Sequence, residues 1–219
     1  MRFKTIKHYA LAVALMLIAS LCFAKTVPIP NHPYQIAAPA GWELIPAADI
    51  DALNEMAPPQ SSVAFDLGLR AKGTENSGYP YVLVQVYPPA RTRLSGLPTT
   101  KQFQSLVDRF SRVLAAPNEL KRKLESVKDT EIRGIAGSFM DGLSKSGIRV
   151  DAAHRRFAAL VSNVNVRGKP VTAIAAWIFL PDGALVQFNC YSWSAEFAKN
   201  RADFDSIVAS LQSTVELDQ

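Results

Sequence analysis

The sequence predicts an α+β domain: a mainly antiparallel β-sheet covered by helices. Three features carry that prediction. Residues 171–193 hold two apolar runs, VTAIAAWIFL and ALVQFNCYSW, around the reversal Pro181-Asp182-Gly183. Two segments, Thr99–Leu114 and Phe204–Val215, repeat apolar residues every three or four positions, the period of an amphipathic helix. Between Val63 and Tyr87 apolar residues follow the period of two that marks a strand. Strands that return directly on themselves pair antiparallel, and helices with a single apolar stripe need a sheet to cover.

The chain begins with Arg2, Lys4 and Lys7 ahead of the apolar run at 10–24, ALAVALMLIASLCFA. This is the positive-then-apolar order of a secretion signal, with processing expected after Ala24. The run is shorter than the roughly 20 residues of a spanning helix. Export to the periplasm or the outside is therefore expected, without stable insertion in the membrane. Lipidation at Cys22 is disfavoured, because Leu21 stands where a small residue would precede a modified cysteine. Removing residues 1–24, with three bases and no acid, leaves 195 residues and lowers the charge from +5 to +2. That length suits one domain, residues 25–219. So small a charge, with no long basic block, gives no footing for nucleic-acid binding.

The next stretch, KTVPIPNHPYQIAAPAGWELIPAAD, reads as a proline-rich surface arm, with short apolar patches at Tyr34–Ile36 and Trp42–Ile45 and a bend at Pro39 and Gly41. A short helix is expected from Asp51 to Met56. Val63, Phe65, Leu67 and Leu69 then alternate along one strand, the turn-rich GTENSG reverses the chain, and YPYVLVQVYP supplies its partner. Thr99 and Gln102 form a capping box for a helix with Phe103, Leu106, Val107, Phe110, Val113 and Leu114 inward. ELKRKLES continues as a second short helix, its Lys121-Arg122-Lys123 cluster a solvated face. From Glu131 to Leu143, glycines 134, 137 and 142 interrupt what reads as a strand. Phe157, Ala159 and Val161 alternate along the next strand. Residues 171–179 are apolar at both parities, as a strand covered on both faces would be. The terminal helix presents Phe204, Ile207, Val208, Leu211 and Val215.

Chemistry is sparse. With Cys22 removed, Cys190 is a single cysteine that is free and buried, paired with another chain, or chemically used. A cysteine-dependent hydrolase or transferase would use Cys190 with His154 as base. No local nucleophile signature supports it, and Cys190 follows Val186 and Phe188 on one strand face as a small hydrophobe would. His32 and His154 belong to no metal-ligand cluster. Asp151 and His154 would leave opposite faces if their segment is a strand. Walker, dinucleotide and GxSxG patterns are missing from the sequence, so no cofactor is implied. For binding, the aromatics are the informative residues: Trp42, Tyr81, Tyr191 and Trp193, with Tyr79 and Tyr87 beside them. Tyr191 and Trp193 share the parity opposite Cys190.

In the order of its elements the chain resembles the PsbP-like α/β/α sandwich group. The residues that carry the resemblance are GWELIP at 41–46, the paired strands, the intervening helix, the late hairpin and FDSIVASL at 204–211. It covers most of residues 33–215. Such a resemblance implies an accessory or assembly role without catalysis and assigns nothing to Cys190. The expected function is a noncatalytic exported protein that binds an envelope or extracellular protein or peptide.

Overall fold

Apolar residues at both parities along residues 171–179 demand cover on both sides, and the strand they form lies inside a seven-stranded antiparallel sheet. The structure is a computed structural model that describes residues 25–56, 64–74, 78–116, 122, 124–125, 130–145 and 147–215. The secretion signal, Val63, the centre of GTENSG and most of ELKRKLES fall outside the described residues. Of the last, Arg122 is exposed and Leu124 is buried.

The strands are β1 (Lys25–Pro28), β2 (Tyr34–Ala38), β3 (Trp42–Leu44), β4 (Leu67–Ala71), β5 (Tyr81–Tyr87), β6 (Ile148–Asp151), β7 (Arg156–Val166), β8 (Lys169–Phe179), β9 (Leu185–Trp193) and β10 (Gln212–Ser213). The helices are α1 (Ala47–Glu55), α2 (Pro89–Thr92), α3 (Thr100–Leu114), α4 (Thr130–Lys145) and α5 (Phe197–Ala209). The large sheet runs β3-β4-β5-β9-β8-β7-β6. Two meanders, β3 to β5 and β6 to β9, meet where β5 pairs with β9.

The β8–β9 hairpin turns at Asp182-Gly183, as the sequence predicts. Asp182 Oδ1 accepts from the Ala184 amide at 3.0 Å. Gly183 takes φ +89°, and a Cβ there would also lie 2.5 Å from the Leu94 carbonyl oxygen, so both backbone conformation and space select glycine. Thr92 donates to the Gly183 carbonyl at 2.7 Å, tying the end of α2 to the hairpin.

One face of the large sheet carries α3 and α4. The predicted capping box is present at Thr99 and Gln102. Phe103 and Val107 then bury against Phe157, Trp177 and Phe179. Rings meet throughout this cluster, with Phe110 at 4.6 Å from Trp177 and Phe157 stacked on Trp177 at 4.9 Å. Val113, expected inward, is exposed.

Residues 131–143, expected as a glycine-broken strand, belong to helix α4. Ile135, Phe139 and Leu143 recur every four residues and pack on Val161, Val164 and Tyr191. Gly142 is not a break in the element but a close approach: a Cβ added there would lie 2.4 Å from Val161 Cγ1. Gly134 and Gly137 meet nothing within 4 Å.

The opposite face is covered by α5 and a small sheet ordered β1-β2-β10. The expected surface arm is therefore corrected. Val27, Ile29, Tyr34, Ile36 and Ala38 are buried in the main core, because they keep a period of two through the prolines. Pro28 is tolerated because β1 is an edge strand. The Tyr34 hydroxyl donates to Asp182, joining the small sheet to the hairpin tip. The terminal helix is shorter than its pattern predicts: it ends at Ala209, Leu211 packs from the following turn, and Val215 is exposed. β10 pairs with β2 there instead.

Candidate functional site

Alternation decides which side chains meet on each face of the sheet. On the α5 side, Arg149 and Asp151 of β6 lie opposite Ala158 and Arg156 of β7, and Ala158 lies opposite Ala176 of β8. Ile174 and Ile178 continue that surface. Helix α5 crosses the β9 side of this face and leaves the β6-β7-β8 side less covered. Between them runs a groove of about 450 Å3. Its floor includes Ala158, Ile174, Ala176 and Ile178, and α5 forms one wall with Arg201, Phe204, Asp205 and Val208. Arg149, Asp151 and Arg156 form the other.

The groove thus joins an apolar floor to three guanidiniums and two carboxylates. Arg156 Nε donates to Asp151 at 2.7 Å, and Arg201 Nε meets both Asp205 oxygens at 2.8 and 2.9 Å. Each of these pairs lies within one wall. Arg149 is exposed and forms no ion pair among the described residues. Its charge is left toward the groove.

Asp151 and His154 do not share one strand, so the opposite faces that a strand would give them do not apply, and they form a surface pair. β6 ends at Asp151, and the turn that follows swings His154 back, so Nδ1 sits 2.9 Å from Asp151 Oδ2. Hydrogen bonds from His154 and then Arg156 hold the Asp151 carboxyl down to about 2.

Cys190 lies beneath this groove, with no exposure. Val82 and Ile174 flank it on the neighbouring strands, and Val186 and Phe188 share its cluster, as its parity predicts. Burial, and next the Asp205 charge, push its thiol pKa up, away from the thiolate a nucleophile needs. His154 is engaged on the exposed β6–β7 turn with Asp151, and His32 contacts Asp66 at 3.3 Å. The Cys190 and His154 pair of the hydrolase or transferase alternative is not assembled. No group of three metal-ligating side chains occurs among the described residues.

Three of the four aromatic candidates converge on the other face. Tyr81 and Tyr191 are a cross-strand pair with centroids 4.8 Å apart, and Tyr79 bridges Tyr81 at 5.1 Å and Trp193 at 4.3 Å. Lys169 stands 5.3 Å from the Trp193 ring. Phe139 of α4 meets Tyr191 edge-on at 5.4 Å, so the cluster is partly roofed, and all four rings are half-buried. Burial raises the pKa of the Tyr81 and Tyr191 hydroxyls above the ordinary phenol value. Trp42 does not join them. It is buried, its indole N–H donates to Asp203 at 2.9 Å, and its ring meets Phe204 edge-on. Trp42 thereby ties α5 to β3, away from the other three rings.

The groove arginines carry no signal in the sequence that singles them out. Arg149, Arg156 and Arg201 sit on three different elements, and each alone reads as an ordinary exposed arginine. Strand register and the docking of α5 bring them together. The one available signal was parity, since Arg156 shares a strand face with apolar Ala158.

No family model matches the chain, and no curated protein matches it. Among solved structures, the chain is similar to cyanobacterial PsbP from Synechocystis sp. PCC 6803, with 11% identity and a TM-score of 0.44 over 86% of this chain and 91% of that one. It is likewise similar to LpqN, involved in cell envelope biogenesis of Mycobacterium tuberculosis, with 13% identity and a TM-score of 0.45 over 87% and 91%. The Saccharomyces cerevisiae Ran-binding protein Mog1p follows at 12% identity and a TM-score of 0.40 over 88% and 96%. The likeness is weak and concerns broad architecture: an α+β fold with antiparallel sheets covered by helices, in the manner of a PsbP-like sandwich. No described helix is long and apolar enough to cross a membrane.

Proposed function

We propose that this chain is a noncatalytic exported protein that binds a protein or peptide of the envelope or extracellular space, with the groove between α5 and the β6-β7-β8 side of the sheet as its binding surface. The observation that carries the reading is the groove itself, about 450 Å3 with an apolar floor and an arginine-bearing rim. Such a combination supplies area to bury and charges to orient what is buried. The buried, proton-holding thiol of Cys190 argues against turnover at the same place.

Tyr81, Tyr191 and Trp193 offer a second surface, favoured by the stacked rings beside Lys169. Photo-crosslinking separates the two. A benzophenone amino acid is placed at Ile178 in one variant and at Trp193 in another, and each is irradiated in an extract of the envelope. A discrete adduct from the Ile178 position supports the groove. An adduct confined to the Trp193 position moves the surface to the opposite face. Folded variants that give no adduct at either position count against a binding role.

A further inference from the structure

β6 is the last strand of the large sheet, and the backbone groups along its outer side have no strand partner among the described residues. Its register sets Arg149 opposite Ala158, Val150 opposite Phe157 and Asp151 opposite Arg156. Alternation therefore sends Arg149 and Asp151 to the α5 face and Val150 to the other. Arg149 and Val150 are both exposed, Val150 at 44%. Charges on an edge strand ordinarily keep further strands away. This edge instead carries both signs, two residues apart. A copy turned by a half-turn about the sheet normal at Val150 brings its Asp151 across from Arg149, its Arg149 across from Asp151, and the two Val150 side chains together. Registers centred one residue either way set arginine on arginine or aspartate on aspartate, and like charges directly opposite destabilise a strand pair. Asp151 accepts from His154 and Arg156, and a carboxylate has about four acceptor sites, so it keeps room for a further guanidinium.

We infer that a second copy of this chain adds to the β6 edge about a two-fold axis through Val150, with Arg149 of each copy paired to Asp151 of the other. Main-chain hydrogen bonds along the edge supply affinity, and the crossed charges select the register. The half-turn keeps each face of the sheet on its own side, so the two α5-side grooves open on one common face and flank the β6 seam. The contact lies beyond the groove wall and holds whatever the groove binds. Four residues from each copy make a small seam, so the dimer is weak and reversible.

Sedimentation equilibrium of the exported protein tests this from about 10 μM to about 1 mM, the range in which small interfaces form. The average mass should rise with concentration toward that of a dimer. Arg149→Glu sets two acids across the seam and Asp151→Lys sets two bases, so each variant alone should lose about tenfold or more in self-association. An equimolar mixture of the two variants restores opposite charges at both contacts and should regain the dimer. Asp151→Lys also removes the pairs with His154 and Arg156, so Val150→Cys gives a reading that does not depend on it. Its thiols meet at the axis and should cross-link under copper-phenanthroline about tenfold or more faster than those of Gln104→Cys, at an exposed position on α3. A monomer throughout the concentration range overturns the inference, as do single variants that associate like the parent. A mixture of folded variants that stays monomeric overturns it as well, and so does equal cross-linking at the two cysteine positions.

Discussion

The two faces of the large sheet are built from the same strands and end differently. On the α3 and α4 side, Phe103, Phe110, Phe157, Trp177 and Phe179 interlock around the β7 and β8 strands. On the α5 side, the same two strands present Ala158, Ile174, Ala176 and Ile178, and a groove remains. Large rings fill the space between a sheet and a helix, whereas alanines do not. The difference follows from alternation: Phe157 and Ala158 are neighbours in sequence and point to opposite layers. The α5 side holds the main core under α5 and the small sheet, and room for a partner opens only where β6, β7 and β8 run past α5.

The sharpest break of this contrast is Phe103→Ala. Phe103 is fully buried, and its loss should cost about 3 to 5 kcal/mol in urea unfolding. Ile178→Ala, on the partly covered floor, should cost about 1 to 2 kcal/mol. Equal costs would mean that the floor is packed as tightly as the ring cluster.

Helix α4 offers a second comparison within the closed face. Gly142→Ala would drive a methyl to 2.4 Å from Val161 and should destabilise by about 1 to 3 kcal/mol, net of better helix propensity. Gly134→Ala meets open space and should stabilise by up to about 1 kcal/mol. Thermal midpoints of the two variants should move in opposite directions, and a shared direction would remove the close approach as the reason for Gly142.

These residues also show what the sequence makes legible. The β8–β9 hairpin, the Thr99 cap and the α3 stripe depend on neighbours within a few positions, and they were readable. Helix α4 was not, because three glycines weaken its helical signal and the reason for Gly142, a close approach to Val161, is tertiary and lies outside any local rule. The N-terminal arm was misread for a similar reason: its prolines signal exposure, yet Val27, Ile29 and Ile36 keep the alternation of buried strands. Of the aromatic candidates, parity correctly grouped Tyr191 with Trp193, and nothing local distinguished Trp42, whose role is fixed by Asp203 far along the chain. The groove is the extreme case, because Arg201 lies 45 residues from Arg156 and only the docking of α5 brings it to the β6–β7 hairpin.

Beneath the open face, Cys190→Ala should cost about 1 kcal/mol, as expected for a small buried hydrophobe. The native thiol should resist labelling at neutral pH and react after denaturation. Rapid labelling of the folded protein would show that the floor opens, and with it that this face is less fixed than its packing indicates.

The smallest effect belongs to the groove rim and depends on pH. Asp151 is held down to about 2 by His154 and Arg156, against an ordinary value of 3.8. A carboxyl whose folded pKa is depressed binds fewer protons than its unfolded counterpart, so its contribution is complete above 3.8 and disappears as pH falls toward 2. Asp151→Asn removes that dependence while leaving the ring cluster of the opposite face untouched. Denaturation midpoints of the protein and the variant should therefore converge as pH falls through this window and run parallel above it. Phe103→Ala, which alters no titrating group, should stay displaced from the parent by a constant amount over the same range. A midpoint difference for Asp151→Asn that is equally flat would mean that the Asp151 pairs with His154 and Arg156 are not held in the folded protein.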